Sequence, residues 1–176
     1  MKLDITPILR NSGARKEFSF EEPLEMLSEG IGSVAFEGHV HLDGMVRNFN
    51  GMMELEAVAR VHYITQCDRC CESIEGDLTV NIREDMVELT EKDATTTEGE
   101  EEERYVFKGH ELELDTIAAE ALLLEAPVYM LCSDGCKGLC AECGTNLNRK
   151  ACDCGSNRPV DFRLEALKRF SDPDGQ

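Results

Sequence analysis

The chain has 176 residues, 41% of them hydrophobic, with nine cysteines, no tryptophan and a formal net charge of −18. That length and apolar content suit one domain with a small appendage, and a core that needs no covalent staples. The charge opposes sequence-independent binding of nucleic acid by the chain as a whole, and the apolar runs fall far short of the ~20 residues that span a bilayer.

The opening MKLDITPILR lacks a charged stretch followed by a long apolar run, so it does not read as a signal peptide. The expected location is the cytoplasm, with no membrane partner and no small-molecule substrate. Thiols stay reduced there, and clustered cysteines read as metal ligands before disulfides. The charge is uneven. Residues 137–169 carry seven basic side chains against four acidic ones, whereas residues 1–136 carry −19. A basic partner such as a ribosomal protein suits the acidic part; RNA suits only the C-terminal part.

Extended structure dominates the first half. Val34, Phe36, Val40 and Leu42 share one face at period two, with Gly38 completing it, and Asp43-Gly44 offers turn chemistry. Residues 45–65 hold two further extended stretches; Leu55, Val58, Val61, Tyr63 and Ile64 predict a long strand with an irregularity. After a turn at Cys67–Cys71, Ile74, Leu78, Val80, Ile82 and Met86 continue the pattern. Residues 90–104 are acid-rich and polar, a predicted mobile loop. Tyr105–Leu114 reads as one more strand. Asp115 is the predicted N-cap of a helix over Thr116–Glu125 that Pro127 ends. A short terminal helix is predicted over Arg163–Phe170. The fold class is therefore α+β: an antiparallel meander or partly closed barrel with one or two helices and a C-terminal zinc-knuckle module. The expected division is a β-rich domain over 1–131 and a Cys-rich module over 132–176.

The cysteines recur in pairs with metal-ligand spacing: Cys67 and Cys70, Cys132 and Cys136, Cys140 and Cys143, Cys152 and Cys154. Two sulfurs on a tight turn can both reach one zinc at about 2.3 Å, and a closed structural site takes four ligands. The strongest local signal is Cys140-Ala-Glu-Cys143-Gly144, where the glycine permits the positive φ of a knuckle. It is matched with Cys152 and Cys154. Cys67 and Cys70 then join Cys132 and Cys136 in a second site, so two zinc ions are expected. The competing partition places only the six C-terminal cysteines around one zinc, which leaves Cys67 and Cys70 as a thiol pair. An iron–sulfur cluster is the other metal alternative. Cys71 is left over and reads as a buried small hydrophobe.

No catalytic residue is evident. Four thiolates close a zinc shell that a catalytic site would keep open. His39, His41, His62 and His110 read as strand-surface histidines without a nucleophile or paired base.

The run Cys67-Asp-Arg-Cys70, followed by Cys136-Lys-Gly-Leu-Cys140-Ala-Glu-Cys143-Gly-Thr-Asn-Leu-Asn148, resembles the YceD family. So do the Asp115–Glu125 helix with Ala126-Pro127 after it, and the ending Asp161-Phe-Arg-Leu-Glu-Ala-Leu167. The family often has proline where Ala141 stands, a departure that touches no predicted ligand. The resemblance implies a non-enzymatic factor in bacterial large-subunit ribosomal RNA accumulation or ribosome assembly. Such a factor would bind a ribosomal protein or precursor RNA. Lys137, Arg149, Lys150 and Arg158 are the candidate RNA contacts. The reading from a different class is a thiol redox sensor or oxidoreductase built on Cys67 and Cys70.

Overall fold

The structure, a computed structural model, describes residues 1–88 and 105–154. The acidic run 90–104, the predicted helix Arg163–Phe170 and Arg158 lie outside the described residues. The elements in chain order are β1 (Lys2–Asp4), α1 (Thr6–Leu9), β2 (Arg15–Glu22), a 3-10 turn (Glu25–Leu27), β3 (Ala35–Phe49) and β4 (Met52–Gln66). They are followed by β5 (Ser73–Glu88), β6 (Tyr105–Phe107), β7 (Glu111–Glu113) and α2 (Asp115–Leu124).

Five strands form an open sheet in the order β2-β3-β4-β5-β6. The first four are an antiparallel meander; the alternation predicts its extended stretches from Val34 onward, β2 is not among them, and the sheet does not close into a barrel. At one edge the three-residue β6 runs parallel to β5, pairing Met86 with Tyr105 and Glu88 with Phe107. β1 and β7 form a separate antiparallel ribbon. The predicted single strand over Tyr105–Leu114 is thus two short strands in different sheets. Gly109, with φ +74, breaks the run between them.

The inner face of the meander is built from every second residue. Leu42 and Val46 of β3, Met53, Leu55, Ala57, Ala59 and Val61 of β4, and Val80, Ile82 and Met86 of β5 are buried in one cluster. Ile5, Ile8, Leu112, Leu114, Ile117, Ala118, Ala119 and Leu122 belong to the same cluster. Half-buried Phe18 and Phe20 of β2 extend it, with ring centroids 5.6 Å apart. Buried Asn48 ties α1 to this layer. Its Nδ2 donates to the Ile8 and Leu9 carbonyls at 2.8 Å each, while its Oδ1 accepts from the Gly51 amide at 2.8 Å.

The irregularity predicted within residues 45–65 sits elsewhere. β4 alternates without a break, and the register shift falls in β3 between Glu37 and His41. Gly38, at φ +79, lies within it. Two extra β3 residues are accommodated there, which preserves the inward parity of Phe36, Val40 and Leu42.

Asp43-Gly44 is not a turn; both residues lie inside β3. The hairpin reverses at Asn50-Gly51, with φ +54 and +95, the two positive values that a two-residue turn of this kind requires. Gly44 serves close packing instead. It stands opposite Ala57 of β4 and Phe18 of β2. A Cβ there would come within 2.5 Å of the Glu56 carbonyl and 2.6 Å of the Ala57 Cβ. Helix α2 begins one residue earlier than predicted, and Asp115 is inside it with no side-chain cap. The Asp115 carboxylate pairs with the Met1 amino group instead.

Gly44→Ala is expected to cost about 1–3 kcal/mol, the usual penalty for overpacking a fitted site. A urea unfolding curve should show a lower midpoint with an unchanged slope; an unchanged midpoint would mean the strands part there without cost.

Candidate metal centre

The turn joining β4 to β5 is a knuckle. The Cys67 amide donates to the Glu72 carbonyl at 2.8 Å, and the Cys71 amide donates to the Cys67 carbonyl at 2.8 Å. Cys71 closes the loop in the left-handed region, at φ +58. Residues 140–145 repeat the arrangement. The Cys140 amide donates to the Thr145 carbonyl at 2.8 Å, the Gly144 amide donates to the Cys140 carbonyl at 2.9 Å, and Gly144 has φ +70. Cys71 therefore occupies the position that glycine fills in the other knuckle. It is exposed, which corrects its expected role as a buried hydrophobe.

The four pairs assemble into two sets of four. The sulfurs of Cys67, Cys70, Cys132 and Cys136 all lie within 4.8 Å of one another, and so do those of Cys140, Cys143, Cys152 and Cys154. Cys67 Sγ stands 3.7 Å from Cys136 Sγ, and Cys70 Sγ stands 3.5 Å from Cys132 Sγ. The edge of a tetrahedron with metal–sulfur bonds of about 2.3 Å is about 3.8 Å, so these two edges are close to the length that four thiolates around one ion require. Either set could hold a metal ion. None of the nine cysteines forms a disulfide.

The first set joins segments distant in the chain. Beside the knuckle, the Asp68 amide donates to the Met130 carbonyl at 2.9 Å, and the Met130 amide donates to Asp68 Oδ2 at 2.6 Å. These bonds lay residues 130–132 along the β4–β5 turn. The Leu139 amide reaches the Arg69 carbonyl at 3.0 Å, and Arg69 donates to the Cys136 carbonyl at 3.0 Å. Cys67, Cys70 and Cys136 are 1%, 4% and 3% exposed, with Ile74 and Leu131 packed against them. Cys132 is exposed, and the second set is the more open, with no fully buried member.

The thiols do not titrate alike. Burial opposes ionisation of Cys67, but backbone amides of Cys132, Arg69 and Cys70 donate to its sulfur and bring it down to about 6. Cys70 accepts from the Glu72 amide, yet burial and the three sulfurs around it push it up to about 12. In the second set the Thr145 hydroxyl and amide bring Cys143 down to about 6, while Cys154, beside Cys143, is pushed up to about 12. Four sulfurs this close repel as thiolates, and a divalent cation among them removes that repulsion.

The other candidates are dispersed. Lys137 and Lys150 are exposed. Arg149 reaches Glu72 Oε1 at 2.6 Å. His62 sits on the outer face of the sheet with its Nδ1 2.9 Å from Asp77 Oδ1. His39 and His41 both approach Glu21, at 3.7 Å. Among the described residues, no helix is long and apolar enough to cross a membrane.

An open meander carrying two four-thiol knuckle sites defines a small Cys-rich α+β protein. The model of the family described as "Large ribosomal RNA subunit accumulation protein YceD" matches residues 55–171, and the chain belongs to that family. An uncharacterized Mycobacterium leprae protein, ML1660, is 27% identical over 147 residues, which cover 82% of this chain and 66% of that protein. The chloroplastic YCED homolog 1 of Arabidopsis thaliana, named as a large ribosomal RNA subunit accumulation protein, is 38% identical over 45 residues. Those residues cover 26% of this chain and 14% of the plant protein. The chain thus spans less than two thirds of the length of either relative. No solved structure matches.

A left-handed non-glycine residue costs roughly 1–2 kcal/mol, part of which glycine returns as entropy of the unfolded chain. Cys71→Gly is therefore expected to stabilise the protein by about 0.5–1 kcal/mol with metal content unchanged, read by denaturant titration and metal analysis. A loss of bound metal would show that Cys71 is a ligand.

Proposed function

We propose that the chain is a non-enzymatic, cytoplasmic zinc protein that acts in large-subunit ribosomal RNA accumulation by holding a basic ribosomal protein. The observation that carries the metal reading is the pair of four-sulfur sets; membership of the YceD family supports the ribosomal role. Zinc suits four thiolates on CxxC knuckles, closes its shell with them, and leaves no open position for a substrate. The ligands are Cys67, Cys70, Cys132 and Cys136 for one ion, and Cys140, Cys143, Cys152 and Cys154 for the other. In this reading residues 1–131 form the body, and the first ion ties the module over 132–176 to it.

Electrostatics favour a protein partner over RNA. On the outer face of the sheet, Arg47 pairs with Glu54 at 2.6 Å, Arg60 with Asp43 at 3.0 Å and Arg83 with Glu56 at 3.8 Å. These arginines are already matched with carboxylates. Residues 132–154 carry Lys137, Arg149 and Lys150 against Asp134, Glu142 and Asp153, so the Lys, Arg, Asp and Glu charges of that segment cancel. An RNA contact would rest on Lys137, Lys150 and Arg158. The redox alternative draws on the low Cys67 thiol. Against it, Cys67 and Cys70 are buried, and each has a sulfur of Cys136 or Cys132 at close range.

Two measurements test the proposal. Metal analysis of the purified full chain should find two zinc per chain; iron, or one zinc with Cys67 and Cys70 open to alkylation, would overturn the assignment. Titration against basic ribosomal proteins should show binding that weakens from 0.1 M to 1 M salt, as the screening length falls from about 10 Å to about 3 Å. Tight binding of ribosomal RNA, with none of basic ribosomal proteins, would overturn the partner.

A further inference from the structure

The motif Cys143-Gly-Thr-Asn-Leu-Asn148 continues past its last cysteine into residues that ligate nothing. The structure shows where they go. The loop between Cys143 and Cys152 folds back onto the first sulfur set. The Leu147 amide donates to the Gly138 carbonyl at 2.9 Å, and the Arg149 and Lys150 amides donate to the Asn146 carbonyl at 3.1 and 3.0 Å.

Two asparagines of this loop then reach the other site. Asn148 Nδ2 lies 3.3 Å from Cys136 Sγ, while its Oδ1 accepts from the Lys137 amide at 2.8 Å. The Lys137 amide needs an acceptor, which fixes the orientation of the carboxamide and leaves the NH2 group facing the sulfur. Asn146 is fixed in the same way. Its Oδ1 accepts from the Asn148 amide at 2.9 Å, so its Nδ2 donates to Glu72 Oε1 at 3.2 Å. Arg149 donates to that same oxygen at 2.6 Å. Glu72 is the last residue of the first knuckle, and its Oε2 lies 3.9 Å from Cys70 Sγ.

Resting on the two-zinc reading, we infer that Asn148 is a positioning residue for the first metal site, delivered by the loop that the second site closes, and that the two sites are thereby coupled. Binding at Cys140, Cys143, Cys152 and Cys154 holds both ends of the loop. The ordered loop presents an N–H to the Cys136 sulfur and two donors to Glu72. A thiolate that accepts a hydrogen bond carries its charge at lower cost and is held in one direction, which favours metal at the first site. By linkage, metal at the first site favours the second equally. The buried first site is then the anchor, and the more open second site sets how firmly the anchor holds.

The experiment uses the full chain with zinc and cobalt(II) as probes. Zinc affinity of the first site is measured by chelator competition for the unaltered chain, Asn148→Ala, Cys143→Ser and the double variant. Asn148→Ala and Cys143→Ser are each expected to weaken the first site by about tenfold or more, the range found for partners of metal ligands. The double variant should be no weaker than the worse single, because both changes remove one interaction. Asn148→Asp separates a donor from a spacer. It keeps the acceptor for the Lys137 amide but loses the N–H, and should weaken the site at least as much as Asn148→Ala. In the cobalt form, the sulfur-to-metal charge-transfer band of both Asn148 variants should move to lower energy. First-site affinity and band position that are unchanged in Asn148→Asp, or multiplicative losses in the double variant, would overturn the coupling while leaving two zinc per chain intact. A chain that takes up no metal overturns the two-zinc reading, and the coupling with it.

Discussion

From Pro127 to Cys154 the only buried residues are Cys136 and Gly138. A segment with so little apolar interior has no hydrophobic means of holding a fixed position, and in the proposed account an ion shared by Cys67, Cys70, Cys132 and Cys136 takes that role. Two of them come from the β4–β5 hairpin, rigid because β4 and β5 pair without a break over fourteen positions from Gln66↔Ser73 to Met53↔Met86. The other two come from the chain leaving α2. In the proposed account the ion at this junction supplies folding free energy that the body obtains from Leu, Val, Ile and Met. The backbone bonds at Asp68–Met130 and Arg69–Leu139 set the register of the two partners, and in the proposed account the ion holds the four sulfurs together.

The repetition of the knuckle shows how strongly one geometry is demanded. Both turns close with the same two amide–carbonyl bonds and both place their fifth residue in the left-handed region. Gly144 meets that demand without steric strain, whereas Cys71 meets it under strain. The following residue, Glu72, receives Asn146 and Arg149 from the loop after the second knuckle. The acidic body and the paired arginines of the outer sheet face belong to the same economy of charge. Lys2, Arg47, Arg60, Arg83 and Arg149 are each paired with a carboxylate.

The sequence made the meander legible because β3, β4 and β5 each bury one face of a long strand, and period two survives even the two-residue insertion at Gly38–Val40. What it hid was local. Asp43-Gly44 has the composition of a turn, but glycine also appears where a neighbouring strand leaves no room for Cβ, and Ala57 and Phe18 are not visible from the segment itself. The signal for the true reversal, Asn50-Gly51, was present in the chain and is the stronger of the two. β2 was missed, although Lys16, Phe18 and Phe20 alternate. The split of Tyr105–Leu114 was not legible, because the two halves pair with β5 and β1, and only tertiary context chooses such partners. At the site, spacing defined the pairs and the order of the pairs suggested the partition. The role of Cys71 was misread because a free cysteine is usually buried, while here the backbone needs a positive φ on a solvent-facing turn. Asn146 and Asn148 formed part of a recognisable motif, but their hydrogen bonds across to the first set follow from the fold alone.

The central claim is that each set of four cysteines shares one ion, with the first set spanning the hairpin and the segment after α2. Substitution of the full chain with cadmium-113 tests this directly, because the metal nucleus couples through the sulfur to the β-protons of its own ligands. The account predicts two cadmium resonances. One should correlate with Cys67, Cys70, Cys132 and Cys136, and the other with Cys140, Cys143, Cys152 and Cys154. A single resonance, or one correlated with cysteines from both sets, would contradict it.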